Sequence, residues 1–152
     1  MSQYFLRVPD KAGTTSPVIG KNSEQFSYAD PLTIDSNGFL ARATSSGEKI
    51  WGFSLEDVTM ASDNQTVAKY KPLVIPFDEV VMVFTADQAV TQTDIGAYAD
   101  IVTSTSGGYV LNFAAGATGQ FFCQGFDPNN DGSTTLAIVR VAEPQVLAFA
   151  QS

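Results

Sequence analysis

The chain has 152 residues, 44% of them hydrophobic, and its 16 acidic residues outnumber its 8 basic ones, which gives a net charge of -8. This length suits one domain with an ordinary core, and the acidic excess argues against a nucleic-acid partner, because a phosphate backbone would be repelled. The sequence contains no histidine. That excludes Ser-His-Asp and Cys-His catalytic arrangements, imidazole bases and histidine metal ligands.

Residues 1–30 show little regular hydrophobic pattern and are punctuated by prolines, glycines and short polar runs. A segment of this kind buries little surface by itself, so we predict an extended N-terminal arm that docks on another surface. The alternative interpretation is an edge strand packed on the chain's own β domain. The apolar residues that would anchor the arm are Tyr4, Phe5, Leu6, Phe26 and Tyr28.

The Asn37-Gly38 pair lies between two apolar segments, which is the strongest short-range signal for a β-hairpin. A second turn near residues 45–47 is followed by a further apolar segment over residues 49–55, and together these segments predict a three-stranded β-meander. Trp51 is the only tryptophan, and the glycine that follows it permits close approach of a neighbouring strand. We therefore interpret Trp51 as a core residue or an interface anchor.

Three later segments, residues 79–85, 94–102 and 135–141, have the composition of strands. Residues 101–126 carry no charged side chain, which predicts that this run is buried or covered by another chain. Within the run, alternation over residues 109–114 and a second apolar stretch over residues 120–126 predict two strands. A loop of small residues joins them, so we predict that they pair as a hairpin.

Eight to ten short strands with no convincing amphipathic helix predict the all-β class, as a single small barrel or sandwich. The alternation pattern does not distinguish the two architectures. We predict three segments, namely the arm over residues 1–30, a β domain over residues 31–143 and a docking tail over residues 144–152. The tail carries no charge and offers Val146, Leu147 and Phe149 as interface anchors.

The residues that commonly perform catalysis are sparse in this sequence. Cys123 is the only cysteine, so one chain can form neither an internal disulfide nor a thiolate cluster, and we predict a buried thiol. Two carboxylates such as Asp94 and Asp100 would suit a glycosidase, but any chain with so many acidic residues offers such pairs. We therefore expect no enzyme activity and no cofactor. No export signal or membrane-spanning run is visible, which predicts a protein made in the cytoplasm without a membrane partner.

Residues 127–132, DPNNDG, match the first half of a calcium-binding loop, with Asp127, Asn129 and Asp131 as candidate ligands. The twelfth position of the pattern holds Ile138, where calcium loops of this type need a bidentate glutamate. We therefore favour a tight polar turn and expect no metal.

Residues 35–43 and 49–53, DSNGFLARA and KIWGF, follow an order of strand, turn, strand, small loop and strand. This order resembles the meander of capsid decoration, or cement, proteins of tailed bacteriophages. Residues 93–101, 106–112 and 125–128 are similar to the C-terminal strands of that group, so the resemblance covers roughly residues 32–141.

The resemblance implies a non-enzymatic virion protein that is made in the host cytoplasm and binds the outer surface of an expanded icosahedral capsid. Its partners would be the major capsid protein and other copies of itself, usually as a trimer at the three-fold positions. Arms and loops would bridge neighbouring capsid subunits and stabilise the head against the pressure of packaged DNA.

Two other functions fit the sequence less well. A virion-associated carbohydrate- or receptor-binding β module would need an exposed aromatic platform, which Trp51 and the five tyrosines permit. A hydrolase that uses only carboxylates would need a pair such as Asp94 and Asp100 at a defined separation.

Overall fold

A computed structural model of the chain describes residues 4–6, 14–44, 48–76, 81–103, 109–113, 119–126 and 135–142. The described residues confirm the all-β class: apart from two short helical turns, Asn64–Ala68 and Gln92–Asp94, their regular structure consists of strands. The described ranges hold thirteen strands rather than eight to ten, because three of them have only two residues and escape a period-based prediction. The strands are β1 (Tyr4–Leu6), β2 (Thr14–Thr15), β3 (Gln25–Phe26), β4 (Pro31–Ile34), β5 (Leu40–Arg42), β6 (Gly52–Ser54), β7 (Val58–Thr59), β8 (Leu73–Pro76), β9 (Met82–Thr85), β10 (Tyr98–Thr103), β11 (Tyr109–Asn112), β12 (Phe121–Phe126) and β13 (Leu136–Val141).

The larger sheet has six strands in the order β1-β9-β13-β12-β10-β11. It curls back on itself, because Ala86, just after β9, forms a parallel bridge with Leu111 of β11. The amide of Asp87 adds a hydrogen bond of 2.9 Å to the carbonyl of Leu111. β9, which lies within the strand predicted over residues 79–85, pairs with β1 on one side and with β13 on the other.

The second sheet has five strands in the order β2-β8-β6-β4-β5, and β3 and β7 form a separate two-stranded ribbon. The five-stranded sheet also curls toward closure. The chain that continues from β2 donates a hydrogen bond from Gly20 to the carbonyl of Tyr70 and then bridges to Leu40 of β5. Residues 14–21 therefore connect β8 to β5 across the open side of the sheet.

The main core lies where the two sheets pack together. Phe53 and Ile75 of the five-stranded sheet join Phe84, Ile101 and Phe121 of the six-stranded sheet in one buried cluster. Full burial of an aliphatic or aromatic side chain of this size contributes about 1.5–3 kcal/mol. Neighbouring strand residues point the other way, and Leu32, Leu40 and Val74 form a smaller cluster with Phe26 and Met60 inside the five-stranded sheet.

The Asn37-Gly38 hairpin is confirmed as the β4–β5 connection. Gly38 has a φ of +87°, a conformation that glycine adopts without a steric penalty. The Asp35 carboxylate accepts hydrogen bonds of 2.9 Å from the backbone amides of Asn37 and Phe39. A polar side chain therefore fixes the turn that the glycine permits.

Two predicted strand pairings are wrong. β6 pairs with β4 rather than with β5, so the three strands do not form a meander. β11 and β12 do not form a hairpin either, because β10 lies between them and pairs with both. Local sequence fixes the turns, whereas the sheet order depends on contacts between distant segments.

The predicted boundary at residue 30 does not coincide with a break in the described fold. β2 and β3 pair with β8 and β7, and Ser16, Phe26 and Ala29 are buried within the chain. The edge-strand alternative therefore describes residues 14–30 better than a free arm does. Within the described part of the uncharged run, Ile101, Tyr109 and Phe121 are among the residues buried by their own domain.

Candidate functional site

The predicted interface anchors occupy different environments. Tyr28 is 41% exposed, whereas Phe26 is 1% exposed and belongs to the smaller core cluster. Trp51 is half-buried and packs against the same cluster. β1, which contains Tyr4, Phe5 and Leu6, pairs through its backbone with residues 82–84 of β9. The candidate anchors Val146, Leu147 and Phe149 and the candidate calcium ligands Asp127, Asn129 and Asp131 lie outside the described residues.

The clearest candidate site among the described residues is a strip of exposed apolar side chains beside the five-stranded sheet. Tyr28, Tyr70 and Leu73 are 41%, 44% and 39% exposed. Glu56 and Asp57, adjacent in sequence, lie between them and connect them. We call this set of five residues the tyrosine strip.

Backbone and side-chain hydrogen bonds hold the strip together. The Glu56 carboxylate accepts a hydrogen bond of 2.6 Å from the Tyr70 hydroxyl and one of 2.9 Å from the Leu73 amide. The Asp57 carboxylate accepts a hydrogen bond of 2.8 Å from the Tyr28 amide. The apolar residues are therefore fixed relative to one another by the two carboxylates.

The hydrogen bond between Tyr70 and Glu56 also affects ionisation. It raises the pKa of the Tyr70 hydroxyl, because ionisation would remove the proton that Glu56 accepts. Tyr70 is therefore a neutral hydrogen-bond donor and an apolar ring at physiological pH.

A buried amide supports Tyr70 from beneath. Asn64 is fully buried, and its Nδ2 donates hydrogen bonds of 2.7 Å to the Gly20 carbonyl and 3.1 Å to the Tyr70 carbonyl. Its Oδ1 accepts a hydrogen bond of 2.8 Å from the Tyr70 amide. Asn22 and Gln65 exchange two further bonds, of 3.0 and 2.7 Å, which attach the same loop to residues 18–22.

A second polar group lies between the two sheets and serves packing. Asp30 is fully buried, and its carboxylate forms an ion pair with Nε of Arg42 at 3.1 Å. It also accepts a hydrogen bond of 2.7 Å from the Ser27 amide. The Arg42 guanidinium lies over the ring of the buried Tyr109, 5.2 Å from its centroid. Since Arg42 belongs to β5 and Tyr109 to β11, this contact joins the two sheets.

The carboxylates considered for hydrolysis hold backbone groups. Asp94 accepts a hydrogen bond of 2.8 Å from the Thr91 amide at the start of a helical turn. Asp100 accepts one of 3.0 Å from the Gln120 amide. Both carboxylates therefore serve as acceptors of backbone hydrogen bonds.

The described residues show neither a metal-binding cluster nor a membrane-spanning helix. They contain no group of three or more histidine, cysteine, aspartate or glutamate side chains placed to hold a metal ion. Within the same ranges, no helix has the length and apolar character needed to cross a membrane.

Sequence reasoning found only Tyr28 among the apolar residues of the strip. Tyr70 and Leu73 lie on either side of Pro72, and nothing in the local sequence marks either side chain as exposed. Glu56 looks like one more solvated acid, because its two hydrogen-bond partners lie 14 and 17 residues away in sequence.

Comparisons of this chain with protein-family models, with curated protein sequences and with solved structures return no match. The functional interpretation therefore depends on the sequence pattern and on the geometry of the tyrosine strip.

Proposed function

We propose that this chain is a non-enzymatic structural protein of a phage virion. It binds the outer surface of an expanded icosahedral capsid, bridges neighbouring major capsid subunits and works as a homo-oligomer, with a trimer as the expected state. The observation that carries the proposal is the tyrosine strip, an exposed apolar surface held in place on a curled β framework.

The composition of the strip suits adhesion to another protein. Tyrosine is enriched in protein interfaces, because its ring buries apolar area while its hydroxyl retains a hydrogen-bond partner. In Tyr70 that partner, Glu56, is already in place before any binding occurs. A surface that is ordered in advance loses less conformational entropy when it binds.

Repetition would strengthen a modest contact of this kind. Each copy on a capsid binds a lattice that presents the same site many times, so engagement of one contact raises the effective concentration of the next. A small apolar strip on every subunit of an oligomer is therefore sufficient for firm attachment. The net charge of -8 further favours association with capsid surfaces that carry basic side chains.

The test is to mix the purified chain with expanded and unexpanded capsids that lack it and to image the particles by electron microscopy. The expected result is density in a regular lattice on the expanded form alone. A variant with Tyr28→Ser, Tyr70→Ser and Leu73→Ser should bind at least tenfold more weakly, a loss of about 1.4 kcal/mol.

A matched control is available in and just before β10 of the six-stranded sheet. Ile95 and Val102 are 39% and 36% exposed and do not belong to the strip. The Ile95→Ser, Val102→Thr variant should therefore bind capsids like the unchanged chain. Equal binding by both variants would show that the tyrosine strip does not contact the capsid. Absence of lattice density on every capsid would refute the proposed function itself.

The exposed tyrosines favour one alternative, a carbohydrate- or receptor-binding module. Tyr28 and Tyr70 offer aromatic faces beside the Glu56 and Asp57 carboxylates, a combination that suits the apolar faces and hydroxyl groups of a sugar. This function predicts that the isolated chain binds an oligosaccharide array and loses binding in the strip variant. Capsid decoration predicts no signal on such an array.

A further inference from the structure

The tip of the β4–β5 hairpin carries the only Asn-Gly pair in the sequence, Asn37-Gly38. Both residues are exposed, and a Cβ built at Gly38 would meet nothing within 4 Å. We infer that Asn37 is a site of spontaneous deamidation, with water as the co-reactant, and that Asp35 slows the reaction in the folded chain. This inference is independent of the proposed function.

The chemistry requires only the two residues and water. The backbone nitrogen of Gly38 gives its proton to water or hydroxide and forms a bond to Cγ of Asn37. Nδ2 takes a proton from water as the bond between Cγ and Nδ2 breaks, and ammonia leaves, so that a five-membered succinimide remains. Water then opens the ring at either carbonyl, which leaves aspartate or isoaspartate at position 37. Glycine after the asparagine favours ring closure, because it has no side chain to hinder the attack.

The folded turn holds the attacking nitrogen away from this reaction. The Gly38 amide donates a hydrogen bond of 3.0 Å to the Asp35 carbonyl. The Asp35 carboxylate fixes the amides of Asn37 and Phe39 on either side at 2.9 Å. Succinimide formation therefore requires the hairpin tip to open, and the rate follows the population of the open turn.

Two other asparagines in the described chain, Asn22 and Asn64, are protected, which makes them internal controls. Asn64 is fully buried, and its amide is held by the carbonyls of Gly20 and Tyr70. Asn22 precedes a serine, a small residue, but its Oδ1 accepts a hydrogen bond of 2.7 Å from the Gln65 amide. We therefore expect modification to begin at Asn37.

The product would alter the hairpin. Either hydrolysis product adds one negative charge, and isoaspartate also adds a carbon to the backbone between β4 and β5. The register of these strands pairs Ile34 with Leu40, immediately next to the turn. Leu40 and Leu32 belong to the smaller core cluster, so a shift in this register disturbs buried contacts.

The experiment incubates the full folded chain in mildly alkaline buffer and follows trypsin peptides by mass spectrometry. Cleavage after Lys21 and Arg42 yields a peptide of residues 22–42 that contains both Asn37 and Asn22. The expected result is a mass gain, from replacement of NH2 by OH, that fragmentation places on Asn37 and not on Asn22. Enzymatic methylation of this isolated peptide then detects isoaspartate. The peptide is isolated because the Asp-Gly pair at residues 131–132 undergoes the same ring closure without a mass change.

An Asp35→Ala variant should deamidate about tenfold faster when folded, because it loses two charge-assisted hydrogen bonds that hold the turn closed. In denaturant the two chains should react at equal rates, since neither retains the turn. A folded Asp35→Ala chain that reacts no faster than the unchanged chain would overturn the role of Asp35. An Asn37 that stays unmodified in denaturant, or an Asn22 that reacts equally fast in the folded chain, would overturn the site.

Discussion

The two sheets of this protein are held together by different interactions. In the six-stranded sheet, β10, β12 and β13 each have six residues, and large side chains such as Phe84 and Phe121 pack with ring centroids 5.3 Å apart. The strands of the five-stranded sheet have two to four residues. There polar side chains, including Asp35, Glu56 and Asn64, hold backbone groups in addition to the strand pairing.

The difference shows how short strands are made to persist. A strand of two or three residues forms too few ladder hydrogen bonds to pair all the backbone groups around it. A buried amide without a partner lowers the free energy of unfolding. Carboxylate and amide side chains accept those bonds instead. Because the tyrosine strip is built on the five-stranded side, the same side chains that stabilise this sheet also position the candidate site.

The largest predicted effect tests the apolar half. Phe121→Ala removes a fully buried ring that contacts Phe84, so the free energy of unfolding should fall by about 3–5 kcal/mol. Urea denaturation followed by circular dichroism measures this loss. Phe122→Ala is the control, because Phe122 is half-buried and packs edge-on against Tyr98 at 5.5 Å, and it should cost distinctly less. Similar losses for the two variants would contradict an apolar core at this position.

The next effect tests the polar half. Asn64→Ala leaves two carbonyl oxygens and the Tyr70 amide without their partner. The free energy of unfolding should therefore fall by about 2–3 kcal/mol, despite the small change in apolar volume. Amide hydrogen exchange should accelerate at Tyr70 and Leu73 and remain slow in β12 and β13. Gln88→Ala, at an exposed position, should leave both measurements unchanged. Faster exchange in β12 would show that the two sheets do not open separately.

Local sequence signals predicted the elements better than their arrangement. The β4–β5 hairpin was predictable because Asn37-Gly38 dictates its turn, and β9 and β13 because their apolar runs suit strands inside a sheet. The placement of β6 beside β4, and of β10 between β11 and β12, depends on contacts between distant residues that no local pattern encodes. The two-residue strands are too short to show the alternation of apolar and polar residues by which strands are recognised in a sequence.

The candidate site was less predictable than the fold. Asn64 begins an Asn-Gln-Thr sequence that looks like a polar surface segment, yet it is fully buried because its amide satisfies carbonyls far away in sequence. Phe26 and Tyr28 lie two residues apart and were both predicted as anchors, but only Tyr28 is exposed. Which side of an irregular segment faces solvent is decided by the sheet it packs against.

Alkaline pH should weaken the junction between the sheets. Burial raises the pKa of the Tyr109 hydroxyl above its ordinary value, and the nearby Arg42 guanidinium opposes part of that rise. The folded chain therefore keeps its proton where the unfolded chain has lost it. The stability contribution of Tyr109 is complete below the unfolded pKa of about 10 and falls as pH rises above it, by at most about 1.4 kcal/mol per pH unit.

Denaturation midpoints measured from neutral pH upward should show this decline in the unchanged chain and a smaller one in Tyr109→Phe. Tyr28→Phe is the matched control: Tyr28 is exposed, so removal of its hydroxyl should leave the alkaline slope nearly intact. A slope that is unaffected by Tyr109→Phe would mean that another group causes the alkaline loss.

The smallest perturbation, a reaction of the Cys123 thiol, decides whether the two halves open independently. Burial raises the pKa of this thiol, which also donates to the Gly125 carbonyl at 3.4 Å, so an aromatic disulfide reagent should react only when the six-stranded sheet opens. Phe121→Ala should therefore accelerate labelling, because it lowers the free energy of that opening. Asn64→Ala acts on the other sheet and should leave the labelling rate close to that of the unchanged chain while it accelerates exchange at Tyr70. If both variants accelerate labelling in proportion to their loss of stability, the sheets unfold as one unit, and the different interactions within them do not produce separate stabilities.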